Sequence, residues 1–471
     1  MGSFDLNAFV PGLASLRQTL LNSPHLANRR LSGAGRSACL WNVAHGSGMS
    51  GRLSELAGLS VLLRASDAFF AALALIELDG VARRIVLCPP DVKDADLPHV
   101  IATAEVDAVV YDQAPPPNAE GLRRFVQSGA FAPGPELPET VLATEWVMFT
   151  SGTTGVPKMV THTLASLAGA INTAQPGDPA VVWGTFYDIR RYGGLQILLR
   201  ALLGEGSMVL STSGEPVGEF LTRLARHGVT HLTGTPSHWR GVLMSSQARL
   251  ITPRYIRMSG EIADQAILDS LKAAYPGVPI GHAYASTEAG VGFEVDDGLE
   301  GFPAAFMERR GAGVEMKLVD GSLRLRSARA AGGYVGGGSA PLADDDGFID
   351  TGDMLERRGE RLYFMGRRGG VINVGGLKVH PEEIEAVINS HPSVRMSLVK
   401  GRRNPITGSI VVADVVLDAD VAGPDPDLPA LKGDILRACR EALAPHKAPA
   451  TLRFVNHLEV TSGGKLERAH A

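Results

Sequence analysis

Three short apolar runs separated by stretches of helical character constrain this chain most. They are Leu59-Ser60-Val61-Leu62-Leu63-Arg64, Arg84-Ile85-Val86-Leu87-Cys88 and Ala108-Val109-Val110-Tyr111. Each is short and β-branched enough to read as a buried strand. A helix fills the first gap through about residue 78, and another ends near Ala104 in the second. Pro89-Pro90 stops the middle strand. This strand–helix–strand rhythm predicts a parallel sheet, because parallel neighbours need a crossover connection. The most apolar stretch, Phe69 to Ile76, reads as a buried helix and is far too short to span a bilayer.

Residues 112–140, rich in Pro, Gly and polar side chains, read as a loop or connector. A further strand, Glu145-Trp146-Val147-Met148-Phe149, runs into a Gly/Thr-rich loop. Helix and strand signals alternate to about residue 290. Gly-rich strand-like segments follow from 311 to 365, such as Glu315-Met316-Lys317-Leu318-Val319 and Leu323-Arg324-Leu325-Arg326. The last hundred residues read as an α+β module. His380-Pro381-Glu382-Glu383-Ile384 opens a helix with Pro and acids in its first turn. Residues 397–399 and 410–416 form a hairpin around Asn404-Pro405. Leu431, Ile435, Cys439 and Leu443 recur every four residues on one apolar helical face. The expected architecture is α/β: a large N-terminal domain of helix-covered β-sheets over 1–366 and a small α+β domain over 367–471. Residues 1–50 carry no clear pattern.

At 471 residues, with 45% apolar and 20% charged side chains, the chain can bury a large core. A net charge of −5 argues against a nucleic-acid surface, which needs excess Lys and Arg. Cys39, Cys88 and Cys439 are the three cysteines, and their wide spacing excludes a metal–thiolate motif and fits a reducing, cytoplasmic setting. No signal-peptide pattern opens the chain.

The loop after the strand at 145–149 carries the chemistry. Thr150, Ser151, Thr153 and Thr154 supply hydroxyls. Gly152 and Gly155 let the backbone approach an anion, and Lys158 adds a charge. This set suits a polyphosphate. A Walker A loop is excluded by the glycine spacing and by Met159 after the Lys. An ordinary polar turn is the remaining alternative for the loop in isolation.

Thr150-Ser151-Gly152-Thr153-Thr154-Gly155-Val156-Pro157-Lys158 resembles the signature loop of the adenylate-forming superfamily of acyl-CoA synthetases, peptide-synthetase adenylation domains and luciferase. Further segments match that family in order: Tyr284-Ala285-Ser286-Thr287-Glu288, Asp350-Thr351-Gly352-Asp353, the run from Gly366 to Glu385, and Thr461-Ser462-Gly463-Gly464-Lys465. The chain is most similar to a stand-alone acyl- or aryl-CoA ligase. The resemblance implies ATP and Mg²⁺ as cofactors. It places Tyr284 on adenine, Thr287 at the α-phosphate, Glu288 on Mg²⁺, Asp353 on the ribose hydroxyls, and Arg367 at the ribose or phosphate. Gly260 and Glu261 border the adenine. Lys465 is the catalytic cation, and the C-terminal domain is mobile. Gly369 stands where the family has an Asp or Lys hinge, and Ala285 replaces a Gly.

The resemblance also puts an acid pocket between residues 183–195 and 281–293, bordered by Tyr187, Asp188, Arg191, Trp239 and Gly292. Asp188 sits where relatives bind a substrate ammonium. With Arg190 and Arg191 alongside, pairing with an arginine is the favoured reading, and an arginine facing the pocket suits a second carboxylate or a polar aryl acid. Trp239 is either far wall or core. Gly375 and Gly376 fit either a passage for the pantetheine of coenzyme A or a simple turn. With no carrier domain after Lys465, the chain reads as free-standing. It acts on a small carboxylic acid and passes the acyl group to coenzyme A or to the phosphopantetheine of a separate acyl carrier protein. The third reading is a nucleotide-binding relative without catalysis.

Overall fold

The computed structural model describes residues 15–133, 141–150, 157–172, 177–309, 313–336, 341–404, 408–423, 426–460 and 465–466. The strand–helix–strand rhythm becomes a seven-stranded sheet. In it Arg123–Val126, Ala108–Tyr111, Ser60–Leu63, Arg84–Leu87 and Glu145–Phe149 lie side by side and parallel. Met159–His162 returns antiparallel beside Glu145–Phe149, so these two strands flank the Gly/Thr-rich segment in sequence. The helix Ala68–Leu78 is buried along almost its whole length and is capped by Asp67, which accepts from the Phe69 amide at 2.8 Å. Its Glu77 is fully buried but well bonded to Ser47 Oγ at 2.6 Å and the Gly48 amide at 2.9 Å, as a buried charge must be.

The expectation of a plain connector over 112–140 is corrected. Arg123–Val126 extends the parallel sheet, and Ala132–Pro133 pairs with Gly46–Ser47. Only Phe125 of that edge strand points inward, at 1% exposure. A half-solvated edge strand with one apolar anchor leaves little alternation to read.

A second, eight-stranded sheet has a parallel centre built from Val182–Thr185, His231–Gly234, Tyr255–Ser259 and Ile280–Ser286. The N-terminal segment without a clear pattern completes its edge: Arg30–Gly33 pairs parallel with Ser207–Leu210. Buried Arg29 pins that segment by donating to the carbonyls of Ala201, Leu202 and Gly206. The first two carbonyls end the helix Tyr192–Leu203, where a cation is favoured.

A five-stranded antiparallel sheet follows, then the small C-terminal unit. The latter holds the hairpin Ile372–Val374/Leu377–Val379 and a three-stranded sheet packed with the helices Pro381–Asn389 and Leu428–Ala442. Ile435 and Cys439 are fully buried on the apolar helical face. The architecture is therefore a large α/β region and a small α+β one. Arg240 joins them. It pairs with Asp264 at 2.6 Å and donates to the Arg395 carbonyl at 3.1 Å, while Asn389 donates to Asp264 at 3.2 Å. Among the described residues no helix is long and apolar enough to cross a membrane.

Candidate active site

The parallel strands of the eight-stranded sheet all end on one side, and the site forms there, where open α/β sheets place ligands. Ser259 ends the strand Tyr255–Ser259, and Gly260 follows in a left-handed conformation with φ +89°. A Cβ built there would lie 3.4 Å from Lys465 Cε and 3.6 Å from Thr235 Cγ2. Lys465, from the far end of the chain, thus lies against the end of a central strand. Its neighbour Leu466 donates its amide to Glu261 Oε1 at 2.8 Å. Glu261 also accepts from the Ser237 amide at 2.9 Å and Ser237 Oγ at 3.0 Å, at the start of the helix Pro236–Leu243.

Lys465 has exposed surface, yet its pKa is lowered by desolvation first and by the Arg367 guanidinium next. An open-mouthed cleft can leave area accessible while removing much of the bulk solvent. Glu261 and Asp353 raise it back, and Arg191 lowers it further. Lysine and arginine together thus create a positive field with carboxylates at its rim.

Asp353 joins two other expected site residues. It accepts from Tyr284 Oη at 2.5 Å and from Arg367 Nε at 3.1 Å. Burial, and then the Asp353 carboxylate, push the Tyr284 phenol well above its usual range, so it stays a donor. The Tyr284 ring stacks at 10° on Phe364, with centroids 5.1 Å apart. Burial pulls Arg367 down, but Asp353, Tyr284 and Glu288 outweigh it and raise its pKa. Lys158 Nζ lies 5.9 Å from the centre of the Tyr334 ring, and Glu288 raises the pKa of that tyrosine after burial does. Thr150 continues the pairing of the two flanking strands, its amide bonding the Lys158 carbonyl at 2.9 Å. The Thr287 carbonyl accepts from His162 Nε2 at 2.7 Å. Ser151, Gly152, Thr153, Thr154 and Gly155 lie outside the described residues.

In the expected acid pocket, Tyr187 is buried and bridges two strand ends by donating to the carbonyls of Gly234 and Ser259. Asp188 is held bidentately by Arg190 at 2.7 and 2.9 Å, which occupies its charge. Arg191 instead pairs with Asp91 at 2.5 Å.

Two further residues expected at the pocket have these surroundings. Trp239 is fully buried within the core beneath Phe186 and Tyr275, because its helix turns that face inward. Gly292 faces the Tyr284 ring, 3.1 Å from where its Cβ would stand, at a bulge that turns the strand aside. Gly375 and Gly376 both have positive φ, 59° and 88°, as the two central positions of a tight hairpin turn require. Gly369 has open space around it and an ordinary φ. Gly366 instead has φ +117°, and a Cβ there would stand 2.3 Å from Glu382 Oε2.

The model of the AMP-binding enzyme family matches residues 65–335, and that of the AMP-binding enzyme C-terminal domain matches 383–465. The chain belongs to the AMP-binding enzyme family. Among curated relatives of this AMP-binding enzyme, the human mitochondrial acyl-coenzyme A synthetase ACSM2A is 25% identical over 69% of this chain and 60% of its own length. The 2-succinylbenzoate–CoA ligase of Geobacillus kaustophilus is 29% identical over 74% of each chain. The chain thus spans 60% of the first relative's length. The fold is shared with solved structures. The anthranilate CoA ligase AuaEII in complex with anthranoyl-AMP aligns at TM-score 0.80 and 19% identity, over 96% of this chain and 95% of that one. The Bacillus subtilis o-succinylbenzoate CoA synthetase with its acyl-adenylate aligns at 0.73 and 20%, over 96% of each.

Sequence reasoning missed three neighbouring charged residues below the strand ends of the eight-stranded sheet: Arg200, Arg257 and Glu294. An arginine in the middle of the otherwise apolar strand Tyr255–Ser259 was the available signal.

Proposed function

We propose that this AMP-binding enzyme activates a carboxylic acid by forming an acyl-adenylate from ATP and then transfers the acyl group to coenzyme A. The observation that carries the reading is Lys465 against Gly260, within the field of Arg367, Asp353 and Glu261. A carboxylate is a poor electrophile, and joining it to AMP supplies a good leaving group. The acid oxygen attacks the α-phosphorus of ATP, a P–O bond forms, and the bond to pyrophosphate breaks. Two anions must meet, so the protein's task is positioning and charge neutralisation. Lys465 neutralises the carboxylate and α-phosphate as they approach.

The residues present fit the nucleotide. Gly260 leaves a hollow that a side chain would fill, and Asp353 has acceptor capacity for ribose hydroxyls beyond its bonds to Tyr284 and Arg367. The loop from Thr150 to Lys158, including Ser151, Gly152, Thr153, Thr154 and Gly155, would hold the β- and γ-phosphates. Mg²⁺, which supplies charge neutralisation on the phosphates, suits one carboxylate plus phosphate oxygens, and Glu288 beside Thr287 would be that carboxylate. Gly375 and Gly376 would border the pantetheine path. The relatives named as CoA ligases favour coenzyme A over a carrier protein as acceptor.

Acid-dependent exchange of labelled pyrophosphate into ATP over a panel of acids tests the first step. Thioester formation with coenzyme A against a carrier protein tests the second. Absence of exchange with every acid would overturn the reading.

A further inference from the structure

Below the strand ends of the eight-stranded sheet, where the acid is expected to lie, there is more positive charge than the fold uses. Thr185, Thr233, Arg257 and Gly281 form one row across four neighbouring strands, so their side chains share a face. Arg257 is 6% exposed. A guanidinium carries five N–H donors. Among the described residues this one meets a single acceptor, Glu294 Oε2, at 3.5 Å. Glu294 is itself shared, because Tyr255 Oη donates to its other oxygen. Gly281 keeps that corner open: a Cβ there would stand 3.3 Å from Glu294 Oε1 and 3.4 Å from the Tyr255 hydroxyl.

The helix Tyr192–Leu203 lies over this row and presents Tyr192, Gln196 and Arg200, spaced by four, on one face. Among the described residues Arg200 makes one long bond, to the Ala170 carbonyl at 3.4 Å, and its enclosed Nε meets no acceptor there. Gln196 Oε1 is likewise enclosed and, among the described residues, meets no donor. Arg200 is pushed down to about 10, by burial first and by Arg257 second, so the two guanidinium groups feel each other. Two arginines therefore stand near one partly exposed carboxylate, which pairs with Arg257 alone, and a buried guanidinium so sparsely paired costs stability unless an anion joins it.

Arg257 lies in the strand that ends at Ser259, three residues before Gly260. At about 3.3 Å per residue this is on the order of 10 Å, less the reach of the two long side chains at its ends. An acid whose reacting carboxylate meets Lys465 thus directs its far end toward Arg257. The geometry points to Arg257, backed by Arg200, as the site that binds a second anionic group of the substrate and makes the enzyme selective for dicarboxylic acids. This inference rests on the acid-activation reading and names its substrate class.

The test uses the full chain and pairs of acids that differ only in the second carboxylate: adipate against hexanoate, and terephthalate against benzoate. Pyrophosphate exchange should favour the diacid in at least one pair by about 10-fold or more in kcat/KM, the scale of a charged hydrogen bond. Arg257→Gln should erase that preference through KM and leave the monoacid within about 3-fold. Arg200→Gln should weaken the preference in the same direction, and thermal melts show whether either variant is folded. Wild-type preference for the monoacid in both pairs would overturn the inference and leave acid activation standing. So would an equal loss of both acids in a folded Arg257→Gln protein, which marks a structural ion pair. Exchange with no acid at all would overturn acid activation itself, and the inference with it.

Discussion

The amide of Leu466 donates to Glu261 Oε1 at 2.8 Å across 205 positions of sequence, and this bond sets where Lys465 stands. The same carboxylate accepts from the Ser237 amide and hydroxyl. One side chain therefore ties the start of a helix in the large region to the end of the chain. A backbone amide bonded to a carboxylate is a charge-assisted contact worth roughly 1.5–3 kcal/mol.

Replacing Glu261 with Gln keeps the shape but removes the charge that receives these donors. Acid-dependent exchange should fall by about 10- to 100-fold, since each 1.36 kcal/mol is a factor of ten in rate. The protein should remain folded by circular dichroism. Unchanged exchange in Glu261→Gln would show that Lys465 is positioned by other means.

Gly366, rather than Gly369, carries the backbone demand near the junction of the two regions. At φ +117° with Glu382 Oε2 2.3 Å from a built Cβ, Gly366→Ala forces backbone strain and pushes the Glu382 carboxylate aside. We expect a loss of about 1–3 kcal/mol in unfolding free energy. Gly369→Ala meets open space and should stay within about 0.5 kcal/mol of the wild type. Denaturant titration of both variants decides the matter, and an equal cost would refute the assignment.

Two histidines, His162 buried and His238 half-buried, make stability depend on acid pH. His162, between Ser166 Oγ and the Thr287 carbonyl, and His238, which accepts from the Thr235 amide, are each pushed down to about 4 by burial first. A folded pKa below the ordinary 6.5 means the unfolded chain binds protons first as pH falls. Their contribution is complete above pH 6.5 and drains away as pH drops toward 4. The combined loss is on the order of several kcal/mol by linkage. Melting temperatures should decline through that window, and less steeply in His238→Gln. Parallel declines in the two proteins would exclude His238 as a source.

Much of this was legible in the sequence, and the reasons for the rest are physical. The parallel strands at 59–64, 84–88 and 108–111 could be read because buried strands are continuous apolar runs with helices between them. Arg123–Val126 could not, since an edge strand with one inward Phe lacks periodicity. The members of the site, Tyr284, Asp353, Arg367 and Lys465, stood out as motifs, but their assembly did not: the Tyr284–Asp353–Arg367 chain and the Glu261–Leu466 bond join residues whose separation no local pattern encodes. Asp188 beside Arg190 was readable as a pair because the partners are two residues apart. Arg257 was passed over because its partner Glu294 lies on another strand, and a single charged residue inside a strand says nothing about what it faces.

The central claim is that Lys465 neutralises the charge of a carboxylate attacking ATP. Acid-dependent pyrophosphate exchange measured side by side in wild type and Lys465→Ala tests it most directly. The account predicts robust exchange in the wild type and a fall of about 100- to 1,000-fold in the variant, the scale of losing one pre-placed electrostatic group, with the melting temperature little changed. Exchange that persists at wild-type rate without Lys465 would contradict it.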